Sequence, residues 1–267
     1  MSYVDALLLG LIQGITEFLP ISSTGHLIIV REFFNIDFTN RLAVDATLHF
    51  ATALAVIIYF RVDIKRLILT FFELLQRKSV DTQDKILLYA LIVGTLPAVI
   101  LGLLLESHIE TTFGSPKLVA WVLVIGSALF LLAEKAHGMI REKKEITLKN
   151  GLIVGFFQAL ALFPGMSRSG ATISGGMLLG LSREGAARFA FLLSIPIILG
   201  AGSLKLTELG TLGLPLSEWL VILFASVIAF ASGIAAIHYL LKFLRKYSLI
   251  PFVIYRVTLA LVVFLFI

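Results

Sequence analysis

Cysteine is absent and charge is scarce, and each shortage removes a class of protein. With no cysteine in 267 residues the chain can form no disulfide, no thiolate nucleophile and no cysteine metal cage. Charged residues make up only 15% against 58% hydrophobic, and the mean hydropathy of +0.99 lies far above that of a soluble domain, so the chain reads as an integral membrane protein. The net charge of +5 does not point to nucleic acid, because the basic residues lie between long apolar runs, where they set topology. A basic flank and an A-x-A-like cleavage site are also lacking near the start, so residues 1–23 are expected to belong to the mature fold and not to a cleaved signal peptide.

Against that apolar background one stretch stands out, residues 158–172, Q-A-L-A-L-F-P-G-M-S-R-S-G-A-T. An arginine at membrane depth is costly unless it meets a partner, a ligand or water, which marks Arg168 as a functional position. Pro164-Gly165 breaks a helix that resumes through Ile173, and a restarted helix aims unpaired backbone N–H groups into the gap. With serine hydroxyls and an arginine fork beside them, those groups suit a phosphate. A kinked helix with a snorkelling arginine is the plainer alternative.

The run from Val4 is interrupted in the same manner, by Gln13, Glu17, Pro20 and Ser22-Ser23-Thr24-Gly25-His26. Either side of the break is too short to cross about 30 Å of hydrocarbon at roughly 1.5 Å per residue. Residues 4–30 and 150–181 are therefore expected to be re-entrant helix pairs, buried in protein or lining a wet cavity. Six spans are expected at 42–60, 86–105, 117–134, 186–206, 219–241 and 249–267. The segments 61–85, 135–149, 182–188 and 242–246 hold 16 lysines and arginines, whereas 31–41, 106–117 and 205–218 hold 4. That contrast puts the first set in the cytoplasm and both termini outside, provided that both broken segments re-enter.

Overlaid at an offset of 145, the two broken segments share Leu7, Gly10, Gln13, Phe18, Ser22, Gly25 and Ile28 with Leu152, Gly155, Gln158, Phe163, Ser167, Gly170 and Ile173, seven identities in 22 positions. Each half is then a re-entrant pair followed by three crossings, and an odd number of crossings turns the second half upside down. The expected fold is a single all-α membrane domain over 1–267, with six transmembrane helices and two re-entrant helix pairs in an inverted-topology repeat. Repeat 1 covers about 1–145 and repeat 2 about 146–267, and the two breaks meet near the midplane.

What meets there is Gln13, Glu17, Ser22, Ser23, Thr24 and His26 from one half, with Ser167, Arg168, Ser169 and Thr172 from the other. Gln13 and Glu17 share a helix face, and a carboxylate at this depth needs a metal ion, a cation or a proton. Arg168 alone would satisfy it as a buried ion pair. The chemical alternative has Glu17 binding a divalent cation or acting as base, Ser23 or His26 attacking phosphorus, and Arg168 neutralising the transferred phosphoryl group. Ser23 is favoured as attacker for its place beside a helix start, with His26 orienting or protonating, although histidine is the simpler nucleophile. Asp45 and His49, four apart, are expected to pair with each other, with a direct catalytic role as the alternative. Arg256 either lines the cavity or holds helices together, and Gly175-Gly176 and Gly200-x-Gly202 are expected at close helix contacts. The same architecture suits a lipid-phosphate or ion transporter or flippase, which has less use for an acid, serines and a histidine beside Arg168.

At these residues the chain resembles the undecaprenyl-pyrophosphate phosphatases, also called bacitracin-resistance proteins. That family carries (E/Q)-x-x-x-E, here Gln13 to Glu17, then F-L-P-x-S-S-T-G-H, here Phe18 to His26, and P-G-x-S-R-S-x-x-T, here Pro164 to Thr172. The resemblance continues to the closing Ile250-Pro251-Phe252-Val253-Ile254-Tyr255-Arg256. It implies a bacterial plasma-membrane enzyme that hydrolyses undecaprenyl pyrophosphate to the monophosphate and inorganic phosphate, through a site open to the outer face. It also implies a divalent cation, Mg2+ or Ca2+, on Glu17, with Gln13 beside it as the variant that leaves one carboxylate in the motif. Phosphate contacts then fall to Ser22, Thr24, Gly25, Ser167, Ser169 and Thr172. The partners are a polyprenyl pyrophosphate, the bilayer and, at most, a second copy of the chain in a homodimer, with no nucleic acid.

The charge asymmetry makes a prediction about sidedness. Single cysteines placed at Ser79 and Ser107 in this cysteine-free chain, treated with an impermeant thiol reagent in whole cells, should label at Ser107→Cys and not at Ser79→Cys. Equal or inverted labelling would remove both the re-entrant assignment and the inverted repeat.

Overall fold

The computed structural model describes residues 2–36, 41–112, 115–140 and 146–267, so the expected repeat boundary at 145 and parts of the connectors 31–41, 106–117 and 135–149 lie outside the described residues. The described elements are helical: α1 Tyr3–Phe18, α2 Ser23–Phe34, α3 Arg41–Tyr59, α4 Arg61–Leu75, α5 Thr82–Thr112, α6 Pro116–His137, α7 Leu148–Ala159, a 3₁₀ turn Leu160–Leu162, α8 Arg168–Leu178, α9 Arg183–Thr211, α10 Leu216–Leu244 and α11 Ile250–Phe266.

Their ends follow local chemistry. Ser2 caps α1 in a reciprocal pair with Asp5, and Thr147 and Ser182 accept the amides of Asn150 and Gly185 at the starts of α7 and α9. Leu19, ahead of Pro20, takes extended backbone and ends α1. Among the described residues, Thr82–Leu105, Pro116–His137, Arg183–Thr211 and Leu216–Leu244 are long and apolar enough to cross a membrane, and Val44–Tyr59, Leu148–Leu162 and Ile250–Phe266 are shorter apolar helices. The chain is an all-helical integral membrane protein.

One expected connector is a helix. α4 occupies the first 15 residues of 61–85, with Arg61, Asp63, Lys65 and Arg66 in its first turns and Ile68, Leu69, Phe71, Phe72 and Leu75 exposed beyond them. Counting basic residues between spans tests sidedness and is blind to amphipathic periodicity, which is why the sequence reading passed over it.

Packing repeats across the 145-residue offset. α1 lies on α10 and α7 lies on α5, while α3 meets α9 and α6 meets α11, so equivalent helices in the two halves exchange partners. The contacts are backbone to backbone. A Cβ added at Gly10 would stand 2.5 Å from Ala225 O, and one at Gly155, its offset mate, 2.3 Å from Gly94 O. Such approach is how helices gain packing in lipid, where apolar side chains win nothing by leaving the hydrocarbon. Gly175 and Gly176 sit equally close to Phe157 and Ala186, and Gly202 to Phe50, but Gly200 has nothing within 4 Å and takes no part in the close packing expected of it.

Gly155→Ala is therefore expected to lose about 1–3 kcal/mol, the usual scale of overpacking, because the atom it meets belongs to backbone. Thermal unfolding in detergent should show a lowered melting temperature for Gly155→Ala and none for Gly200→Ala. Equal melting of the two would place α7 away from α5.

Candidate active site

Two interrupted helices start again facing one carboxylate. α2 begins at Ser23 and α8 at Arg168, positions related by the 145 offset. Their caps match as well: Ser22 has φ 75° and ψ 97°, Ser167 φ 72° and ψ 111°, and each Oγ accepts the amide three residues on, from Gly25 at 3.3 Å and Gly170 at 3.2 Å. Left-handed backbone at a non-glycine residue costs on the order of 1–3 kcal/mol and persists only where its surroundings impose it. Here the turns hold each other. Ser22 Oγ also accepts the Gly165 amide at 3.2 Å, and Ser169 Oγ donates to Leu19 O at 3.2 Å.

Glu17, near the end of α1, is buried between the two starts. Its Oε1 accepts from the Arg168 guanidinium, and its Oε2 accepts from Ser23 Oγ at 2.7 Å and Gln13 Nε2 at 2.9 Å. His49 Nδ1, from α3, stands 3.0 Å from the same Oε2 and 2.8 Å from Gln13 Nε2. The expected Asp45–His49 couple does not form. Asp45 instead takes both terminal nitrogens of Arg31, because helical spacing aligned the two side chains but α1 and α2 supplied better partners to each.

A cavity of about 390 Å³ opens at this carboxylate. Glu17, Ser22, Ser23, Thr24, Ser167 and Arg168 reach it, together with His49 and Asp45. Gly25, His26, Ser169 and Thr172 are buried and are not among its lining residues. His26 Nδ1 donates to Ser22 O at 2.7 Å, and its Nε2 lies 2.7 Å from the Tyr255 hydroxyl, with the two rings stacked. Both nitrogens are engaged, so His26 supports the strained cap from behind. Thr172 bonds the carbonyls of Arg168 and Ser169 within α8. What can react in the cavity is therefore a serine hydroxyl beside a carboxylate, with a guanidinium on the other carboxylate oxygen.

Arg256 settles on the second of its two expected roles. It is fully buried, away from the cavity lining, and donates to Leu123 O, Ser127 Oγ, Met166 O, Gly165 O and, at 3.5 Å, Pro20 O, with its guanidinium 4.7 Å from the Phe130 ring centroid. Two further residues escaped the sequence reading. Tyr255 stands within the closing motif, and Gln158, which lines the cavity, opens the 158–172 stretch and repeats Gln13, but neither has a role of its own in the sequence reading. A polar side chain inside an apolar run was the available signal for Gln158.

A family model described as bacitracin resistance protein BacA matches residues 6–262. Undecaprenyl-diphosphatases of Hahella chejuensis and Myxococcus xanthus are each 43% identical to the chain over 97% of its length, covering 96% and 87% of their own. The undecaprenyl-diphosphatase of Thermobifida fusca is 39% identical over 98% of the chain and 89% of its own length.

Removing the Arg256 fork would leave carbonyls of both helix breaks unpaired away from water. Arg256→Lys, which keeps the charge and loses the geometry, should cost about 1–3 kcal/mol for each carbonyl left unsatisfied, seen as a large drop in melting temperature and in folded yield from detergent. Wild-type melting of that variant would mean that charge alone suffices.

Proposed function

The chain belongs to the bacitracin-resistance protein family, and from that premise we propose that it is a phosphatase that hydrolyses undecaprenyl pyrophosphate to undecaprenyl phosphate and inorganic phosphate. The observation that carries the chemistry is the pair of helix starts on one carboxylate, Ser23 on Oε2 of Glu17 and Arg168 on Oε1. Ser23 Oγ attacks the terminal phosphorus, and Glu17 takes the hydroxyl proton. The bond between that phosphorus and the bridging oxygen breaks, and the lipid monophosphate leaves with the electron pair. Glu17 passes the hydroxyl proton to the departing monophosphate; water then cleaves the phosphoserine, Glu17 taking one of the water protons and returning it to Ser23 Oγ as inorganic phosphate is released. Arg168 neutralises charge on the phosphoryl oxygens as it passes, and its fork suits two of them. Thr24 and Ser167 offer hydroxyls in the same cavity, while Gly25, Ser169 and Thr172 shape the turns that present them. His26 orients Ser22 and, through it, Ser23.

A divalent cation, Mg2+ or Ca2+, fits one way and not another. Among the described residues there is no group of three or more histidine, aspartate or glutamate side chains able to cage a metal. Gln13 Oε1, on the amide bonded to Glu17, is buried without a hydrogen-bond partner among them. Gln13 is fully buried and is not among the cavity's lining residues, so it is Glu17 that would offer its carboxylate to an ion arriving on the pyrophosphate and keeping most of its other ligands, as magnesium does. When bound, it supplies charge neutralisation of the phosphate oxygens.

We place the enzyme as a multi-pass protein of the bacterial plasma membrane, with six spans, two re-entrant pairs, both termini outside and the site open to the outer face. The matched caps at Ser22 and Ser167 and the exchanged helix partners support an inverted repeat. A carrier of the same architecture would have no need of a serine hydroxyl bonded to a buried carboxylate.

Phosphate release from undecaprenyl pyrophosphate by purified protein tests the reaction, and a chelator should lower it. Ser23→Ala should lose at least about a thousandfold in turnover, the scale of losing an activated nucleophile. A variant keeping a tenth of wild-type turnover would take serine out of that role, and a phosphohistidine trapped at His26 would transfer it.

A further inference from the structure

The duplication leaves a buried amide without a purpose among the described residues. Gln158, at the end of α7, is 2% exposed, and neither its Oε1 nor its Nε2 has a hydrogen-bond partner among the described residues. A buried amide with both ends unpaired lowers stability, so a side chain kept in this state is expected to meet its partner from outside the chain. Its offset mate shows what is missing. Gln13 is held by Glu17 four residues on and by His49 across the bundle, but the position four after Gln158 is Leu162, which offers no polar atom. The two halves have specialised: one carries the acid and the serine, the other the arginine and an amide with nothing to bond.

Gln158 lines the same cavity as the polar Glu17 cluster, and Ala98, Ala161, Leu162, Ile197, Ile198 and Ala201, on α5, the 3₁₀ turn and α9, form an apolar wall of that cavity. A lipid pyrophosphate has parts to match: a terminal phosphate, a lipid-linked phosphate, then hydrocarbon. Resting on the phosphatase reading, we propose that Gln158 binds the lipid-linked phosphate of the substrate, and that the polyprenyl chain leaves along this wall. The terminal phosphate belongs to Ser23 and Arg168, so the two phosphates occupy separate subsites supplied by different helices. Nε2 donates to a phosphate oxygen, and Oε1 accepts from a phosphate hydroxyl or a water on it.

The subsite has a signature that a structural residue lacks, because the two products part between them. Undecaprenyl phosphate keeps the lipid-linked phosphate and should bind through Gln158, whereas inorganic phosphate comes from the terminal subsite and should not. In Gln158→Leu, which keeps the volume and removes the amide, the KM for undecaprenyl pyrophosphate should rise roughly 10- to 100-fold, the scale of one hydrogen bond to a charged group, with kcat held within about threefold. The inhibition constant of undecaprenyl phosphate should rise by a similar factor and that of inorganic phosphate should stay unchanged. Melting in detergent should be no lower than in wild type, since an unpaired polar group has been removed. Gln158→Met repeats the experiment with a more flexible apolar side chain.

An unchanged KM in active protein would overturn the subsite and leave the phosphatase reading intact, while wild-type protein that releases no phosphate would sink the reading itself. A parallel rise for inorganic phosphate would move Gln158 to the terminal phosphate, against the proposal. Failure of both variants to fold, or a fall in melting temperature with unchanged KM, would give the amide a structural partner and end the proposal.

Discussion

Everything at the site depends on a guanidinium that never reaches it. Interrupting a helix inside the protein strands carbonyl groups that water cannot reach, and this chain interrupts two helices side by side. Arg256 answers both, since Pro20 O belongs to one break and Gly165 O and Met166 O to the other, while Leu123 and Ser127 tie the same fork to α6. A lysine has neither the number of donors nor their fixed angles. The Phe130 ring below the guanidinium also packs where a Cβ on Gly170 would fall, which joins the clamp to the first turn of α8. Through these contacts a residue on the last helix sets the distance between Ser23 and Arg168.

The clamp explains how two strained serines are tolerated. Ser22 and Ser167 hold backbone angles that an isolated peptide would leave; each is fixed by its own cap bond, Ser22 also by the Gly165 amide of the opposite turn, and Ser167 by its neighbour Ser169, which reaches Leu19 O. The strain turns both helix starts inward, onto Glu17. A carboxylate there would be prohibitive alone, and it is surrounded by a guanidinium, a hydroxyl, an amide and an imidazole. The polar cluster is thus the part of the molecule that packing elsewhere has to support, which the glycine-tight pairs α1–α10 and α7–α5 do.

Much of this could be read from the residues. Pro20 and Pro164-Gly165 mark both breaks because proline and glycine act locally, and the helix starts at Ser23 and Arg168 follow from serine caps one residue earlier. Once the topology-setting lysines and arginines are set aside, Arg168 and Arg256 are the two basic residues that remain, and both proved central. What stayed hidden depends on tertiary partners. Spacing put Asp45 and His49 on one face without telling which helix they would face, so their pairing was misread. Gly200 and Gly202 look alike in the chain, and only the fold separates a contact from open space. Tyr255 joins His26 across 229 residues, a separation at which local patterns carry no information.

The interleaving of the two halves sets a schedule for biosynthesis. Gly10 on α1 fits against Ala225 on α10, so α1 has its main partner about 215 residues away. At roughly 5–20 residues per second, the glycine face of α1 waits on the order of 10–40 s before α10 exists to cover it. α5 receives α7 after a much shorter stretch of chain, so the middle of the molecule can pair while its ends are still incomplete. The nascent protein can therefore assemble from the centre outward, and the helix that carries Glu17 is among the last to be enclosed.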